Sequence, residues 1–224
     1  KMISVAIDGP AGAGKSSISR IAAKKLGFIY VDTGALYRAV GLKFALSGAD
    51  TSLNCDIDGI LSETAVDIRF VNGEQRVFLD GEDVSDKIRT PKASMMASAV
   101  SARPQVRAFL LEMQRKLARE NNVLMDGRDI GTVVLPDADV KIYLTASAEI
   151  RAERRLKELL EKGQQVTYDE VYRDMVKRDY DDMHREIAPL KKAEDAVTAD
   201  TSALDFDKSV ELILEIVKRE TEKQ

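Results

Sequence analysis

The side chains best suited to chemistry lie near the start of the chain. Gly9-Pro10-Ala11-Gly12-Ala13-Gly14-Lys15-Ser16 fits the pattern G-x-x-x-x-G-K-[ST], directly after the apolar run Ile3 to Ile7 and directly before a helical pattern. Glycines let successive backbone N–H groups turn inward onto phosphate oxygens, and the following helix start adds the positive end of its dipole. The expected cradle is Gly9, Pro10, Ala11, Gly12, Ala13, Gly14, Lys15, Ser16 and Ser17. In it Lys15 reaches the β- and γ-phosphates of a nucleoside triphosphate and Ser16 holds Mg2+. Asp126 closes the apolar run Val123-Leu124-Met125 and is the second expected metal group, acting through water.

What is done with the nucleotide must be read elsewhere. Asp126 is followed by Gly127, without the adjacent glutamate with which ATP-driven motors activate water. The chain has no N-K-x-D sequence and no H-R-D-x-x-x-x-N loop, which argues against a switch GTPase and a protein kinase. Transfer to a small acceptor is left. Arg38 sits one turn into the helix that follows the second strand, and Arg128 follows Asp126-Gly127 at the end of another strand. Arg178, Asp182 and Arg185 are spaced i, i+4, i+7 and share one helix face. Each alone reads as a surface ion pair; beside a phosphate cradle they read as clamps for an anionic acceptor. A phosphate acceptor also fits the absence of an obvious base. His184 is the only histidine and reads as an exposed helix residue. A phosphate is already mostly ionised at pH 7 and needs no proton removed. Arginines that align two phosphates and neutralise the transferring group then suffice. Asp126 and Asp129 retain a plainer reading as strand-end or helix-cap residues.

These groups require a scaffold. Ile3–Ile7, Phe28–Val31, Val123–Met125, Val140–Leu144 and Ala196–Thr198 read as short buried strands, with helical patterns between most of them. Helices are expected at about Lys15–Leu26, Gly34–Leu46, Arg103–Glu120, Ala148–Lys162, Tyr168–Asp182 and Phe206–Lys218. The alternation defines an α/β fold with a parallel sheet covered by helices. Val66–Phe70 and Arg76–Leu79 alternate in polarity and are joined through Asn72-Gly73-Glu74, which reads as an antiparallel hairpin inserted into that core. Arg151–Arg185 is rich in charges of both signs and reads either as a solvated face or as a mobile lid.

The whole composition agrees with one soluble domain. Hydrophobic residues make up 44% and charged residues 32%, and 34 Lys and Arg against 38 Asp and Glu give a net charge of −4. That argues against a nucleic-acid partner. No apolar run approaches the roughly 18 residues of a membrane span, and no secretory signal is visible. A lone Cys55 can form no internal disulfide. A cytoplasmic monomer is expected.

Several motifs together resemble one family, the bacterial cytidylate kinases among the P-loop nucleoside monophosphate kinases. They are Ile7–Ser16, Asp32-Thr33-Gly34-Ala35-Leu36-Tyr37-Arg38, Asp126-Gly127-Arg128-Asp129-Ile130-Gly131-Thr132, Lys177-Arg178-Asp179 and Ala188-Pro189-Leu190. The resemblance spans nearly the whole chain. It implies transfer from MgATP to CMP or dCMP on a P-loop nucleoside monophosphate kinase fold with a five-stranded parallel sheet. It further implies a core at about 2–35, 103–150 and 188–224, an NMP-binding insertion with a small antiparallel sheet at about 36–102, and a short helical lid at about 151–187. By resemblance the CMP-binding residues are Thr33, Arg38, Ser98, Arg107, Arg128, Asp129, Arg178, Asp182 and Arg185. Ser98, Arg107 and Asp129 would read the cytosine edge, and Arg178 and Asp182 would hold the ribose. Arg38, Arg128 and Arg185 would face phosphates. Lys15, Arg128, Asp129, Arg178 and Arg185 form the expected catalytic set, and Arg154 or Arg155 would reach ATP. Thr33 stands where many members carry serine. Another small acceptor, or a non-catalytic nucleotide-binding role, are the rival readings.

Overall fold

A computed structural model describes the chain from Lys1 to Gln224. In chain order it runs β1 (Ser4–Asp8), α1 (Lys15–Leu26), β2 (Ile29–Asp32), α2 (Thr33–Leu46), α3 (Ile57–Ser62), β3 (Val66–Val71), β4 (Glu74–Leu79), β5 (Glu82–Asp83) and α4 (Pro91–Ser101). It continues through α5 (Pro104–Glu120), β6 (Val123–Gly127), a π-helical turn at Ile130–Val134, β7 (Val140–Thr145), α6 (Ala148–Glu161), α7 (Tyr168–His184), β8 (Val197–Asp200) and α8 (Phe206–Glu222). Two compact units result: residues 1–30 with 120–224, and residues 31–119. No helix is long and apolar enough to cross a membrane.

The first unit is built on a five-stranded parallel sheet in the order β2-β6-β1-β7-β8. Strands covered on both faces read as unbroken apolar runs, since neither side meets water. Accordingly Val5, Ala6 and Ile7 of β1 and Val123, Leu124 and Met125 of β6 are all buried. Ile18, Ala22 and Ala23 of α1 and Val210, Ile213, Ile216 and Val217 of α8 pack into the same core. Burial of each large aliphatic side chain there contributes about 1.5–3 kcal/mol. Parallel register places Ile7 beside Asp126 and Asp8 beside Gly127. The phosphate-cradle sequence and Arg128-Asp129 therefore leave the sheet side by side at its carboxyl edge, where open α/β sheets hold their ligands.

The second unit has its own core, which includes Leu36, Val40 and Phe44 of α2, Val77 and Leu79 of β4, Met96 and Val100 of α4, and Val106 and Leu110 of α5. The expected hairpin is present as β3–β4, with Val71 opposite Glu74. Its turn is the pair Asn72-Gly73 alone, with φ of 53° and 80°, so Glu74 opens the second strand. Positive φ at both central residues gives the turn whose twist matches antiparallel strands, and Asn-Gly tolerates it best. β5 adds a short third strand. Two helices escape the sequence reading. α3 has only six residues, and α4 carries small residues between its buried Ala93, Met96 and Val100, which blurs the apolar periodicity. Thr90 caps α4 by accepting from Ala93 N at 3.1 Å, and Pro91 occupies its first turn.

Candidate active site

The cradle's shape follows from three glycines. A Cβ at Gly9 would lie 2.0 Å from the Leu144 carbonyl oxygen, so the loop can leave β1 beside β7 only as glycine. Gly12 and Gly14 take φ of 75° and 74°, a region that L side chains rarely occupy. Gly14 is also the N-cap of α1, with no side chain closing the helix start and no acidic residue in its first turn. A helix start without a side-chain cap is the kind that receives an anion, and Ser16 and Ser17 are exposed in that turn. Pro10, Ala11 and Ala13 are buried.

Lys15 is buried at 7% exposure and directs Nζ to Asp126 Oδ1 at 3.3 Å. Asp126 is itself 1% exposed and also accepts from the Tyr30 hydroxyl through Oδ2. A buried lysine needs such a carboxylate, because an unpaired charge there would cost several kcal/mol. Asp126 and the Ser16 hydroxyl are hard oxygen donors of the kind Mg2+ prefers. No group of three or more His, Cys, Asp or Glu side chains gathers elsewhere into a metal site. The donor set suits a cation that brings phosphate and water ligands with it.

Beyond Asp126, Asp129 is 4% exposed, and its carbonyl accepts from Val133 N at 2.9 Å and Val134 N at 3.1 Å, which winds the π-helical turn. Asp8 holds that turn from below: its two carboxylate oxygens accept from Ile130 N and Gly131 N, each at 2.8 Å. Burial pushes the Asp8 carboxyl up to about 6, against these two bonds, which favour its ionised form. Sequence reasoning missed Asp8 because it acts on backbone atoms rather than on a ligand. Its place just ahead of Gly9 was the available signal.

The arginines fall into two sets. In the first unit Arg128 Nε donates to Asp182 Oδ2 at 3.0 Å, while Arg185 Nη1 lies 3.9 Å from Asp182 Oδ1 and its Nε donates to the Ala188 carbonyl at 2.8 Å. Asp182 thus collects two of the three expected phosphate-facing arginines. Arg178 is exposed on the same helix, α7. In the second unit Thr33 is buried at the start of α2, which Asp32 caps by accepting from Ala35 N at 3.3 Å. Arg38 Nη2 lies 3.4 Å from Asp32 Oδ2, and its buried Nε has no protein partner. Arg107 donates to the Ser101 carbonyl at 2.6 Å and the Tyr37 hydroxyl at 3.1 Å, with its guanidinium over the Tyr37 ring. Ser98 is exposed on α4.

The two lid arginines behave differently. Arg154 donates to Thr201 Oγ1 at 3.0 Å and to the Thr201 and Leu204 carbonyls at 2.6 and 3.2 Å. Arg155 keeps only a partly exposed ion pair with Glu158 at 3.1 Å. Arg151 and Asp179, absent from the expected site, are buried together against the cradle. Arg151 Nη1 donates to Asp179 Oδ2 at 2.6 Å and to the Ala11 carbonyl at 2.8 Å, and Ala11 N donates to Asp179 Oδ1 at 3.2 Å. The motif Lys177-Arg178-Asp179 pointed toward Asp179, whereas nothing in the spacing singled out Arg151. His184 is exposed and stacks on Tyr180.

A phosphate cradle on an uncapped helix, a lysine held on a strand-end carboxylate and arginines beside them define a P-loop phosphotransferase. The chain belongs to the cytidylate kinase family, whose family model matches residues 5–219. A cytidylate kinase of Caldicellulosiruptor bescii is 51% identical over 96% of this chain and 96% of its own. One of Carboxydothermus hydrogenoformans is 51% identical over 97% and 98%. A solved structure of an uncharacterized protein from Eubacterium ventriosum shares the fold, with a TM-score of 0.54 at 12% identity, covering 97% of this chain and 99% of that one.

Proposed function

We propose that this protein transfers the γ-phosphoryl group of MgATP to CMP or dCMP, giving ADP and CDP or dCDP. The observation that carries this reading is the glycine cradle wound onto the open start of α1, with Lys15 anchored on Asp126. Lys15 and the α1 N–H groups bind the ATP phosphates. Ser16 directly, and Asp126 through water, would hold Mg2+, which supplies charge neutralisation between the phosphates. Arg155 is the lid arginine that turns to ATP, since Arg154 is committed to the loop after β8.

The acceptor's phosphate is the nucleophile and needs no base. Arg38, Arg128 and Arg185 hold the phosphates in line, where each charge-assisted contact strengthens as negative charge shifts across the transferring group. Arg178 and Asp182 hold the ribose, and Ser98, Arg107 and Asp129 read cytosine. A wrong base would leave those groups unpaired, which is the strongest form of discrimination a polar pocket offers. Thr33 lines the acceptor pocket. The NMP-binding insertion at about 36–102 supplies Arg38 and Ser98, the lid at about 151–187 supplies Arg178, Asp182 and Arg185, and both exclude water, so that phosphate passes to CMP and not to water. A cytoplasmic monomer is the working state.

The test is ADP production from MgATP with CMP, dCMP, UMP, AMP, GMP or no acceptor in parallel. Turnover with CMP and dCMP well above the rest is expected. Turnover with another monophosphate would retain the mechanism and discard the base-reading residues. Absence of any acceptor dependence would overturn the proposal.

A further inference from the structure

The P-loop is gripped at its crown by a buried ion pair that the expected site did not contain. Arg151 and Asp179 are 7% and 8% exposed and lie within 2.6 Å of each other. Between them they take both polar atoms of Ala11: its N–H by Asp179 and its carbonyl by Arg151. Arg151 Nε also donates to the Ala146 carbonyl at 2.9 Å, which ties the grip to the end of β7. The packing next to it is closed, because a Cβ on Gly12 would lie 2.8 Å from Met175 Sδ and 3.3 Å from the Arg151 carbonyl oxygen.

The sequence explains why one helix can do this. Met175, Asp179 and Asp182 follow at i, i+4 and i+7 on α7 and share a face. The first two meet the cradle and the third meets Arg128. A phosphate cradle has a physical difficulty of its own: its N–H groups converge on one point and repel one another before phosphate arrives. A carboxylate that accepts one of them, neutralised by an arginine that fixes the neighbouring carbonyl, holds the loop in shape beforehand and lowers the ordering cost on binding.

We propose that Asp179 and Arg151 together are positioning residues for the phosphate donor, acting through the Ala11 peptide and touching neither nucleotide. This rests on the ATP-to-CMP reading above. Consequently their loss weakens ATP and leaves CMP alone, although Asp179 lies among residues assigned to CMP.

The experiment measures ATP binding by calorimetric titration without acceptor, together with KM for ATP and for CMP, on Asp179→Asn, Arg151→Lys and the double variant. Each single change is expected to weaken ATP on the order of tenfold, the weight of one charge-assisted hydrogen bond, with KM for CMP within about twofold. The double variant is expected to lose no more than the weaker-binding single, because the two side chains act as one unit. Unchanged ATP affinity overturns the proposal, as does an equal rise for ATP and CMP. Collapse of the fold in both single variants also overturns it, since the pair would then be a general structural tie. If the unaltered protein bound ATP but showed no CMP-dependent turnover, the kinase reading would fail while the titration would still decide the role of this pair.

Discussion

Lys15 rests on Asp126 at 3.3 Å, a long contact from which its ammonium can be drawn toward phosphate oxygens. Lys15→Ala is expected to remove transfer by at least a hundredfold in kcat, measured as CMP-dependent ADP release. Arg38→Met and Arg185→Met should lower kcat/KM for CMP by a similar factor while leaving ATP titration nearly unchanged. If Arg38→Met left CMP use intact, the acceptor assignment would fall. Asp8 makes a different kind of prediction. Folded, it keeps its proton up to pH about 6, whereas an unfolded carboxyl releases it near 3.8. Its contribution to stability is therefore full below pH 3.8 and fades as pH rises through 6. Urea unfolding of the wild type and Asp8→Asn at pH 4, 5, 6 and 7 should show the wild type losing ground to the variant across that window. The motif residues were legible because their side chains meet ligands in a fixed spacing. Asp8 and Arg151 were not, and Asp179 was visible only as part of a motif without a role, because all three act on peptide groups that only the fold brings near.

Among the elements, α2 and α4 pack tightly at Gly41, where a Cβ would meet Ala97 N and Met96 Cβ, each at 2.9 Å. Backbone and a buried side chain cannot both yield, so Gly41→Ala should destabilise by about 1–3 kcal/mol in chemical denaturation. α7 begins with a reciprocal cap, in which Thr167 Oγ1 accepts from Glu170 N at 3.3 Å and Glu170 Oε2 accepts from Thr167 N at 3.4 Å. Thr167→Ala should cost about 1 kcal/mol, read as a lower melting temperature. The long amphipathic helices were legible from their period of 3.6, the core strands from their unbroken apolar runs and the hairpin from its alternation. α4 was not, since Ala and Ser stand at its exposed, half-exposed and buried positions alike, and the π-helical turn was not, since its hydrogen bonds depend on Asp129 and Asp8 being where β6 and β1 end.

For the whole molecule, alternation of strands and helices announced a parallel sheet, yet its order β2-β6-β1-β7-β8 follows from pairings that no local pattern encodes. β1 lies between β6 and β7, with Ser4 opposite Val123 and Val5 opposite Val140. That arrangement sets a timetable for synthesis. β1 has no neighbour until the chain beyond residue 120 has emerged, while residues 31–119 form a continuous stretch with a core of their own. Chains truncated after residue 120 should resist limited proteolysis within 31–119 and be cut readily within 1–30. The phosphate loop, which precedes residues 31–119 in the chain, thus takes its working shape after them.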